Sequence, residues 1–571
     1  MSAAARLLFT PLKVGNITVQ NRIVFSAHLT NFAEDFMPTD RHACYYRERA
    51  RGGVGLIITE EHSVHPTDHP YEKLIHAFNP AVLPGYRRIT EMVHAEGTPI
   101  LAQINHNGGQ SSGMFTRLPA WAPSAIADPL FREVPKAVEH EDIHQIIDGY
   151  ATVAGYTKRG GFDGVELQCS HSSIVRQFLS RSTNTRTDEY GGSLENRARL
   201  LREIIGAIRL AVGRDYVLSV RLCGDELIRD GITIDETVDL ARLLERDRLI
   251  DCINTSIGTA TQTLYMIEAS MRIPPNYAMF IPSAIRKAVH LPVIGVGRVK
   301  DPIQAERLLA EGHADLVGVV RAQIADPEFA RKARENRADD IRLCLSCNQE
   351  CVGRMGLNRW LGCIETPATG REQALGIGTL QPAKPAKRVT VVGGGPAGLK
   401  AAAVRPPRPQ GDAAGKGRAA GRAGRVGDAR HQPRRVRRHR PQYRARDRAA
   451  AGGGAHRRCS HARVVAGGAA GRGDRCHRLA ARPPRHSGRR RRPRRRCHRH
   501  PCRSGDAGQA GAADRSPRFP RGDQHRRVHG RTRLRGGSGN ADALRRPGPG
   551  RHPRSGELVP AGPPARHPLH A

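Results

Sequence analysis

Short runs of β-branched and aliphatic residues alternate with amphipathic stretches between about residue 20 and residue 335. The apolar runs predict eight strands, at residues 22–27, 54–60, 99–105, 162–168, 217–221, 249–255, 292–297 and 316–320. The amphipathic stretches predict helices at residues 83–96, 141–158, 194–212, 235–246, 302–311 and 327–336. Such alternation is typical of parallel strands joined by crossover helices.

Eight strand–helix units over about 300 residues fit a closed (β/α)8 TIM barrel, with an open doubly wound sheet as the alternative. Polar residues at the carboxyl ends of several predicted strands favour closure, because the loops of a barrel converge there on one face. They are Ser26, His28, Gln103, Asn105, His106, His171, Arg221 and Arg298. Any one of them could be an ordinary loop residue, but together they predict an active site.

The charge of the chain is unevenly distributed. There are 92 Lys and Arg against 54 Asp and Glu, a net charge of +38. Residues 401–571 hold 44 Arg and one Lys against eight Asp and one Glu, so +36 lies there and +2 in the first 400 residues. Nucleic acid is therefore not an expected partner of the barrel. With no export signal or membrane-spanning stretch recognisable, we expect a cytoplasmic protein.

Four cysteines cluster after the last predicted strand, within residues 341–380. The spacing of Cys344, Cys347, Cys351 and Cys363 is C-x2-C-x3-C-x11-C. Four thiolates can hold a [4Fe–4S] cluster, and they can also hold a tetrahedral zinc ion. Zinc sites usually show two separated C-x2-C pairs, whereas here three cysteines stand together, which favours iron and sulfur.

Two further motifs indicate phosphate binding. Gly297 and Arg298 follow the seventh strand and Arg321 follows the eighth, where barrels often bind phosphate, although a turn glycine beside solvated arginines would look the same. Gly393, Gly395 and Gly398 follow a short predicted strand, as in dinucleotide-binding domains. An acidic residue about 20 positions further on, which such a site requires, is not recognisable. Residues 388–403 are thus an incomplete, Rossmann-like start.

Residues 404–571 form an Arg/Pro/Gly-rich tail. The tail contains no Ile, Met or Trp, so it cannot bury enough apolar surface to fold and we expect it to be disordered. A basic nucleic-acid-binding arm is one interpretation. We prefer a shifted reading frame in a GC-rich gene, because all periodicity stops inside the helix that the glycine motif would open. Resequencing the gene tests this hypothesis.

Residues 9 to about 370 resemble the old yellow enzyme superfamily of NADH:flavin oxidoreductases, in the branch of the 2,4-dienoyl-CoA reductases and trimethylamine dehydrogenase. The resemblance is carried by residues 9–12, 21–24, 185–197 and 295–298 and by the four cysteines. It implies FMN in a barrel of residues 1–340, a [4Fe–4S] cluster after it, and FAD and NAD(P)H only if the C-terminal domain is intact. It also implies a small-molecule substrate, with NAD(P)H or an electron-transfer protein as redox partner and a possible homo-oligomer.

The resemblance assigns individual roles to residues of the barrel. The implied FMN contacts are Ser26, Ala27 and His28 along the ring, Gln103 at the pyrimidine, Arg221 beside N1 and O2, and Gly297, Arg298 and Arg321 at the phosphate. Leu29 stands where trimethylamine dehydrogenase attaches its FMN through cysteine, so we expect non-covalent FMN.

The substrate side departs from both subtypes. His171 matches a substrate-side histidine that trimethylamine dehydrogenase and many old yellow enzymes share, while Gln168 stands where those enzymes have Tyr or His. Ser173 and Ala260 replace the tyrosine and histidine of the dienoyl-CoA reductases. We take Gln168 and His171 as the catalytic candidates, with His171 donating a proton or a hydrogen bond. The expected reaction is reduction of an activated C=C bond with NAD(P)H, with oxidative N-demethylation of an amine as the alternative.

Overall fold

The structure, a computed structural model, describes residues 7–381 and six single positions further on. These positions are Val391, Val392, Gly395, Ala397, Gly398 and Ala401. Gly393 and the tail of residues 404–571 lie outside the described residues, as does most of the segment 388–403. The dinucleotide-binding start and the disordered tail therefore stay predictions.

The strands of residues 7–381 begin with a hairpin and continue through the barrel. They are β1 (Leu12–Val14), β2 (Ile17–Val19), β3 (Ile23–Phe25), β4 (Leu56–Ser63), β5 (Ile75–His76), β6 (Ile100–Asn105), β7 (Trp121–Ala122), β8 (Lys136–Ala137), β9 (Gly164–Cys169), β10 (Val217–Cys223), β11 (Cys252–Ser256), β12 (Val293–Gly295) and β13 (Leu316–Gly318).

Helices separate the barrel strands and cover their outer face. They are α1 (Asp40–Arg51), α2 (Leu83–His94), α3 (Gly113–Thr116), α4 (His140–Arg159), α5 (Ile174–Leu179), α6 (Leu194–Arg197), α7 (Arg199–Val212), α8 (Ile234–Asp247), α9 (Leu264–Ile267), α10 (Phe280–Ala288), α11 (Pro302–Ala310), α12 (Arg321–Ala325), α13 (Phe329–Arg334) and α14 (Glu372–Leu375). None of the helices in the described part of the chain is long and apolar enough to cross a membrane.

Eight parallel strands close into a ring in the order β3, β4, β6, β9, β10, β11, β12 and β13. The ring closes because β3 pairs with β13 on one side and with β4 on the other, so that Val24 lies opposite both Gly318 and Leu56. The predicted (β/α)8 barrel is confirmed, and the open-sheet alternative is excluded.

The interior of the barrel changes from apolar to polar along its axis. At the amino ends, inward residues such as Leu101, Val217 and Leu316 form one buried cluster with Val14 and Val19 of the β1–β2 hairpin. The hairpin therefore closes this end of the barrel. Successive inward residues lie two positions apart along a strand, and those nearer the carboxyl ends are polar, which leaves this end for chemistry.

All eight predicted strands are found, each with bounds within three residues of the prediction. One predicted helix, 194–212, is wrong in its continuity: it consists of α6 and α7, separated at Ala198. Helix α1 went unpredicted because it buries polar residues, including Glu48 and Arg49, and so shows no apolar stripe.

A buried ion pair connects helix α5 to the loop after β10 at the carboxyl end of the barrel. Arg176 Nη1 lies 2.6 Å from Glu226 Oε1, and neither side chain is more than 1% exposed. Glu226 also accepts hydrogen bonds from Ser180 Oγ (2.6 Å) and from the backbone N–H of Ile232 (3.0 Å). Because a buried charge is costly unless it is paired, this pair holds helix α5, which follows the loop that carries His171, against the loop after β10.

Replacing Arg176 with methionine tests this role. Arg176→Met leaves Glu226 buried without its cation, so the free energy of unfolding should fall by about 3–5 kcal/mol. Urea unfolding followed by circular dichroism measures the change. Arg242→Met, which removes the exposed pair with Asp239 on α8, is the control and should cost less than about 1 kcal/mol. Equal losses in the two variants would contradict the account.

Candidate active site

A cavity of about 580 Å³ lies at the carboxyl end of the barrel. Residues at or after the ends of all eight barrel strands line it, which is how a barrel builds an active site. Its volume lies within the range of about 300–1,000 Å³ that is typical of small-molecule sites. The predicted residues that line it are Ala27, His28, Gln103, Gln168, His171, Arg221, Gly297, Arg298 and Arg321.

Ser26 lies beneath the cavity, in a polar layer that sequence reasoning missed. Its hydroxyl accepts a hydrogen bond from Asn254 Nδ2 (3.1 Å), which also donates to Glu166 Oε2 (2.9 Å). Gln103 Nε2 donates to the other oxygen of Glu166 (2.8 Å), and burial raises the pKa of Glu166. This layer holds the Gln103 amide in place. The signal for it was polar residues inside otherwise apolar strands.

Arg221 brings a buried cation to the cavity wall. Its Nη1 donates to the carbonyl oxygen of Ala27 (3.3 Å), while its Nε has no hydrogen-bond partner among the described residues. Burial lowers the pKa of Arg221, and the nearby carboxylates of Glu166 and Glu61 oppose that shift. Because a buried donor without a partner is costly, this guanidinium fits an acceptor on a bound ligand.

His28 is held rigidly at the same wall. Its Nδ1 lies 3.0 Å from the carbonyl oxygen of Ser26, and its Nε2 lies 2.8 Å from the hydroxyl of Tyr45. Burial lowers the pKa of His28 to about 4. The imidazole is therefore neutral at neutral pH and, with both nitrogens hydrogen-bonded inside the protein, forms a fixed part of the cavity wall.

Two guanidinium groups stand at the far end of the cavity. Arg298 has a left-handed backbone (φ 61°), donates from Nε to Ser346 Oγ (3.0 Å), and leaves a buried Nη1 without a partner among the described residues. Arg321 Nη1 donates to Asn348 Oδ1 (2.7 Å) and to the carbonyl oxygen of Ala269 (2.6 Å). Burial and the charge of Arg321 lower the pKa of Arg298. Two neighbouring cations with a spare donor fit a phosphate.

His171 and Gln168 lie together on the substrate side. His171 also has a left-handed backbone (φ 53°); its Nε2 hydrogen-bonds to Ser256 Oγ, and its Nδ1 lies 3.4 Å from Gln168 Nε2. Burial, followed by the positive charges of Arg221 and Arg176, lowers the pKa of His171 well below its usual value. The ring is therefore neutral at neutral pH, which favours a hydrogen-bonding role over proton donation by an imidazolium.

The positions that depart from the dienoyl-CoA reductases offer no acid here. Ser173 is fully buried and caps α5, its hydroxyl accepting from the backbone N–H of Val175 (3.2 Å). Ala260 lines the cavity as a methyl group, and so does the aliphatic side chain of Leu29.

A carboxyl group and a phenol, both missed by sequence reasoning, also line the cavity. Glu61 accepts hydrogen bonds from Tyr71 and from Asn105 Nδ2 (2.7 Å), and burial raises its pKa. The cause of the miss is a bulge in β4 between Ile58 and Glu61. The bulge breaks the two-residue alternation and turns Glu61 inward.

The four cysteines come together beside this cavity. Cys344, Cys347, Cys351 and Cys363 line a second, smaller cavity next to Arg321, and two of them, Cys344 and Cys351, also line the main one.

The sequence profile of the NADH:flavin oxidoreductase / NADH oxidase family matches residues 7–340. The chain belongs to this family. Its members are flavin oxidoreductases, so the prediction of a flavin-enzyme family is confirmed.

Three similar proteins illustrate the range of this family. N,N-dimethylglycine/sarcosine dehydrogenase of Chromohalobacter salexigens is 36% identical over 406 residues, which are 70% of this chain and 58% of that protein. NADH oxidase of Thermoanaerobacter brockii is 39% identical over 402 residues, which are 69% of this chain and 61% of that protein. The structure of 2-naphthoyl-CoA reductase with 2-naphthoyl-CoA matches with a TM-score of 0.66 at 32% identity. The match covers 70% of this chain and 62% of that one. The chain spans about 60% of the length of the two sequence relatives.

Removing Arg298 tests the phosphate end of the cavity. Arg298→Ala deletes a charge-assisted hydrogen bond of about 1.5–3 kcal/mol, so affinity for FMN should fall by about 10- to 150-fold. The dissociation constant, measured by flavin fluorescence during rebinding to flavin-depleted protein, reports the change. Arg307→Ala, on the exposed face of α11, is the control and should bind FMN as the wild type does. Unchanged affinity in Arg298→Ala would exclude this phosphate site.

Proposed function

We propose that this chain binds FMN in the barrel mouth and reduces a C=C bond conjugated to a carbonyl group, as in enoyl or dienoyl thioesters, with NAD(P)H as electron donor. One observation carries the proposal. A single cavity joins an unpaired guanidinium donor of Arg221, a pair of cations at Arg298 and Arg321, and neutral hydrogen-bonding groups on Gln168 and His171.

The chain's own residues fit FMN. Ala27, His28 and Gln103 would face the ring system, with Arg221 at its electron-rich edge. Gly297, Arg298 and Arg321 would hold the phosphate. When bound, FMN supplies hydride transfer between a nicotinamide and the substrate carbon. Leu29 offers no nucleophile for a covalent link.

Gln168 and His171 would bind the substrate carbonyl oxygen. When hydride reaches the β-carbon of a conjugated carbonyl compound, negative charge develops on that oxygen. Neutral donors held in fixed positions stabilise such charge without reorganising. The low pKa of His171 keeps its ring neutral, and with the hydroxyl of Ser256 donating to Nε2 the ring would carry its one proton on Nδ1 and donate from there.

Oxidative N-demethylation of an amine is the second candidate, and Glu61 favours it. A carboxylate in the cavity could pair with a substrate ammonium group, and a relative of this chain oxidises N-methylated glycines by its name. Against it, burial raises the pKa of Glu61, which favours the neutral acid over a charged partner.

The four cysteines support a [4Fe–4S] cluster in residues 341–380. They line one cavity, and three of them are grouped in the chain, whereas zinc sites usually show two separated C-x2-C pairs. Since Cys344 and Cys351 line both cavities, the cluster would lie close to the flavin.

The proposal for the C-terminal part of the chain starts from how much of each relative is matched, 58% and 61%. The matched spans of about 400 residues have the combined length of the barrel, the cysteine segment and the glycine motif. We propose that residues 388–403, with Gly393, Gly395 and Gly398, begin an FAD- and NAD(P)H-binding domain, and that residues 404–571 are read out of frame. We keep the cytoplasm as the proposed location.

Separate half-reactions measured by anaerobic stopped-flow absorbance test the proposed reaction. NADH or NADPH should bleach the flavin band, and 2-cyclohexenone or crotonyl-CoA should restore it. Dimethylglycine and sarcosine should leave the oxidised flavin unchanged. Bleaching by the amines, with no recovery on adding the unsaturated compounds, would replace the reductase proposal with the demethylase.

A further inference from the structure

Reduction of a C=C bond requires a proton at one carbon as well as a hydride at the other. The two positions where the similar reductases carry an acid hold Ser173 and Ala260. Ser173 is buried as a helix cap, and Ala260 has no proton to give. His171 is neutral and hydrogen-bonded to Ser256. An acid must therefore come from another part of the cavity wall.

Tyr71 is a phenol that the reaction as described so far does not use. It lines the cavity, and its hydroxyl hydrogen-bonds to Glu61 Oε1. Glu61 lies in β4 directly opposite Gln103 of β6, a candidate ring contact, and its carboxyl group lies near Arg221. The Tyr71–Glu61 pair therefore lies at the flavin end of the cavity.

The pair also borders the substrate residues. Asn107 Nδ2 donates to Glu61 Oε1 (3.4 Å), while Asn107 Oδ1 accepts from the hydroxyl of Ser172, the neighbour of His171. One asparagine thus joins the Tyr71–Glu61 pair to the loop that carries the proposed carbonyl-binding histidine.

Two buried carboxyl groups, those of Glu61 and Asp68, lie near the phenol. Glu61 is buried, and burial favours its protonated form. Asp68 is fully buried next to Asn107, whose backbone N–H donates to Asp68 Oδ1 (2.9 Å), and burial raises the pKa of Asp68 to about 7. When Glu61 carries its proton it can donate to the phenol oxygen, which leaves the phenolic O–H free to point into the cavity.

We propose that Tyr71 is the catalytic acid of the reaction and that Glu61 is its positioning and proton-supplying partner, an inference that rests on the proposed function. The π bond of the substrate breaks as hydride from the reduced cofactor forms the β-carbon C–H bond. The O–H bond of Tyr71 breaks as its proton forms the α-carbon C–H bond. Glu61 returns a proton to the phenolate and regains one from water. In sum, NAD(P)H and one proton reduce the C=C bond.

Tyr71→Phe in the full-length holoenzyme tests the proposal, because it keeps the ring and removes only the hydroxyl. Bleaching of the flavin by NADH should be unchanged, and so should its reoxidation by ferricyanide, which needs no proton at carbon. Reoxidation by crotonyl-CoA should slow by about 10²- to 10⁴-fold, the usual contribution of a general acid. Tyr156→Phe, on α4 and outside the cavity lining, should match the wild type throughout.

Two further measurements separate an acid from a structural residue. Affinity for the saturated product butyryl-CoA, measured by calorimetry, should be the same in Tyr71→Phe and the wild type, since a proton donor contributes little to product binding. Glu61→Gln, which keeps a hydrogen-bonding group beside the phenol, should slow only reoxidation by crotonyl-CoA, and less than Tyr71→Phe does.

The possible outcomes keep the two proposals apart. If crotonyl-CoA reoxidises the wild type and Tyr71→Phe at equal rates, the proposed function stands and Tyr71 is not the acid. If Tyr71→Phe also loses ferricyanide reoxidation or product affinity, Tyr71 is structural and the proposal is overturned. If no unsaturated compound reoxidises the wild type, the proposed function is wrong, and the proposed role of Tyr71 is rejected as well.

Discussion

The pairing of β3 with both β13 and β4 is the interaction on which the site depends. This closure forces the carboxyl ends of eight strands onto one rim, and thereby collects side chains that are far apart in the chain. Gln103, Arg221 and Arg298 meet at one cavity for this reason alone. The β1–β2 hairpin seals the opposite end with apolar residues, so ligands have one end of the barrel available to them.

Closure also buries charged and polar groups near the carboxyl end of the barrel. A buried polar or charged group is costly unless it has a hydrogen-bond or ion-pair partner. Several of these groups are hydrogen-bonded or ion-paired to each other: Glu166 accepts hydrogen bonds from Gln103 and Asn254, and Arg176 forms an ion pair with Glu226. Donors left without a partner among the described residues include Nε of Arg221 and Nη1 of Arg298, both on cavity-lining residues. A ligand with ring acceptors at one end and a phosphate at the other would satisfy both.

The sequence was sufficient for the barrel and for nine of the residues that line the cavity. Inward residues of parallel strands follow a two-residue period, so polar residues at strand ends stand out in the sequence. It was insufficient where local geometry breaks that period. The bulge in β4 turns Glu61 inward, and Tyr71 meets it from a loop with no pattern of its own. Helix α1 was hidden for a different reason, since its buried face holds Glu48 and Arg49. Such contacts depend on tertiary pairing that no local pattern encodes.

The proposed function rests on FMN bound in the barrel mouth next to an iron–sulfur cluster. The most direct measurement is the cofactor content of the purified full-length protein, taken from its visible spectrum, its metal analysis and the flavin released on denaturation. The account predicts one FMN per chain, released into solution without a covalent link, and about four irons without zinc. Protein that carries zinc in place of iron, or that binds no flavin when FMN is added, would contradict it.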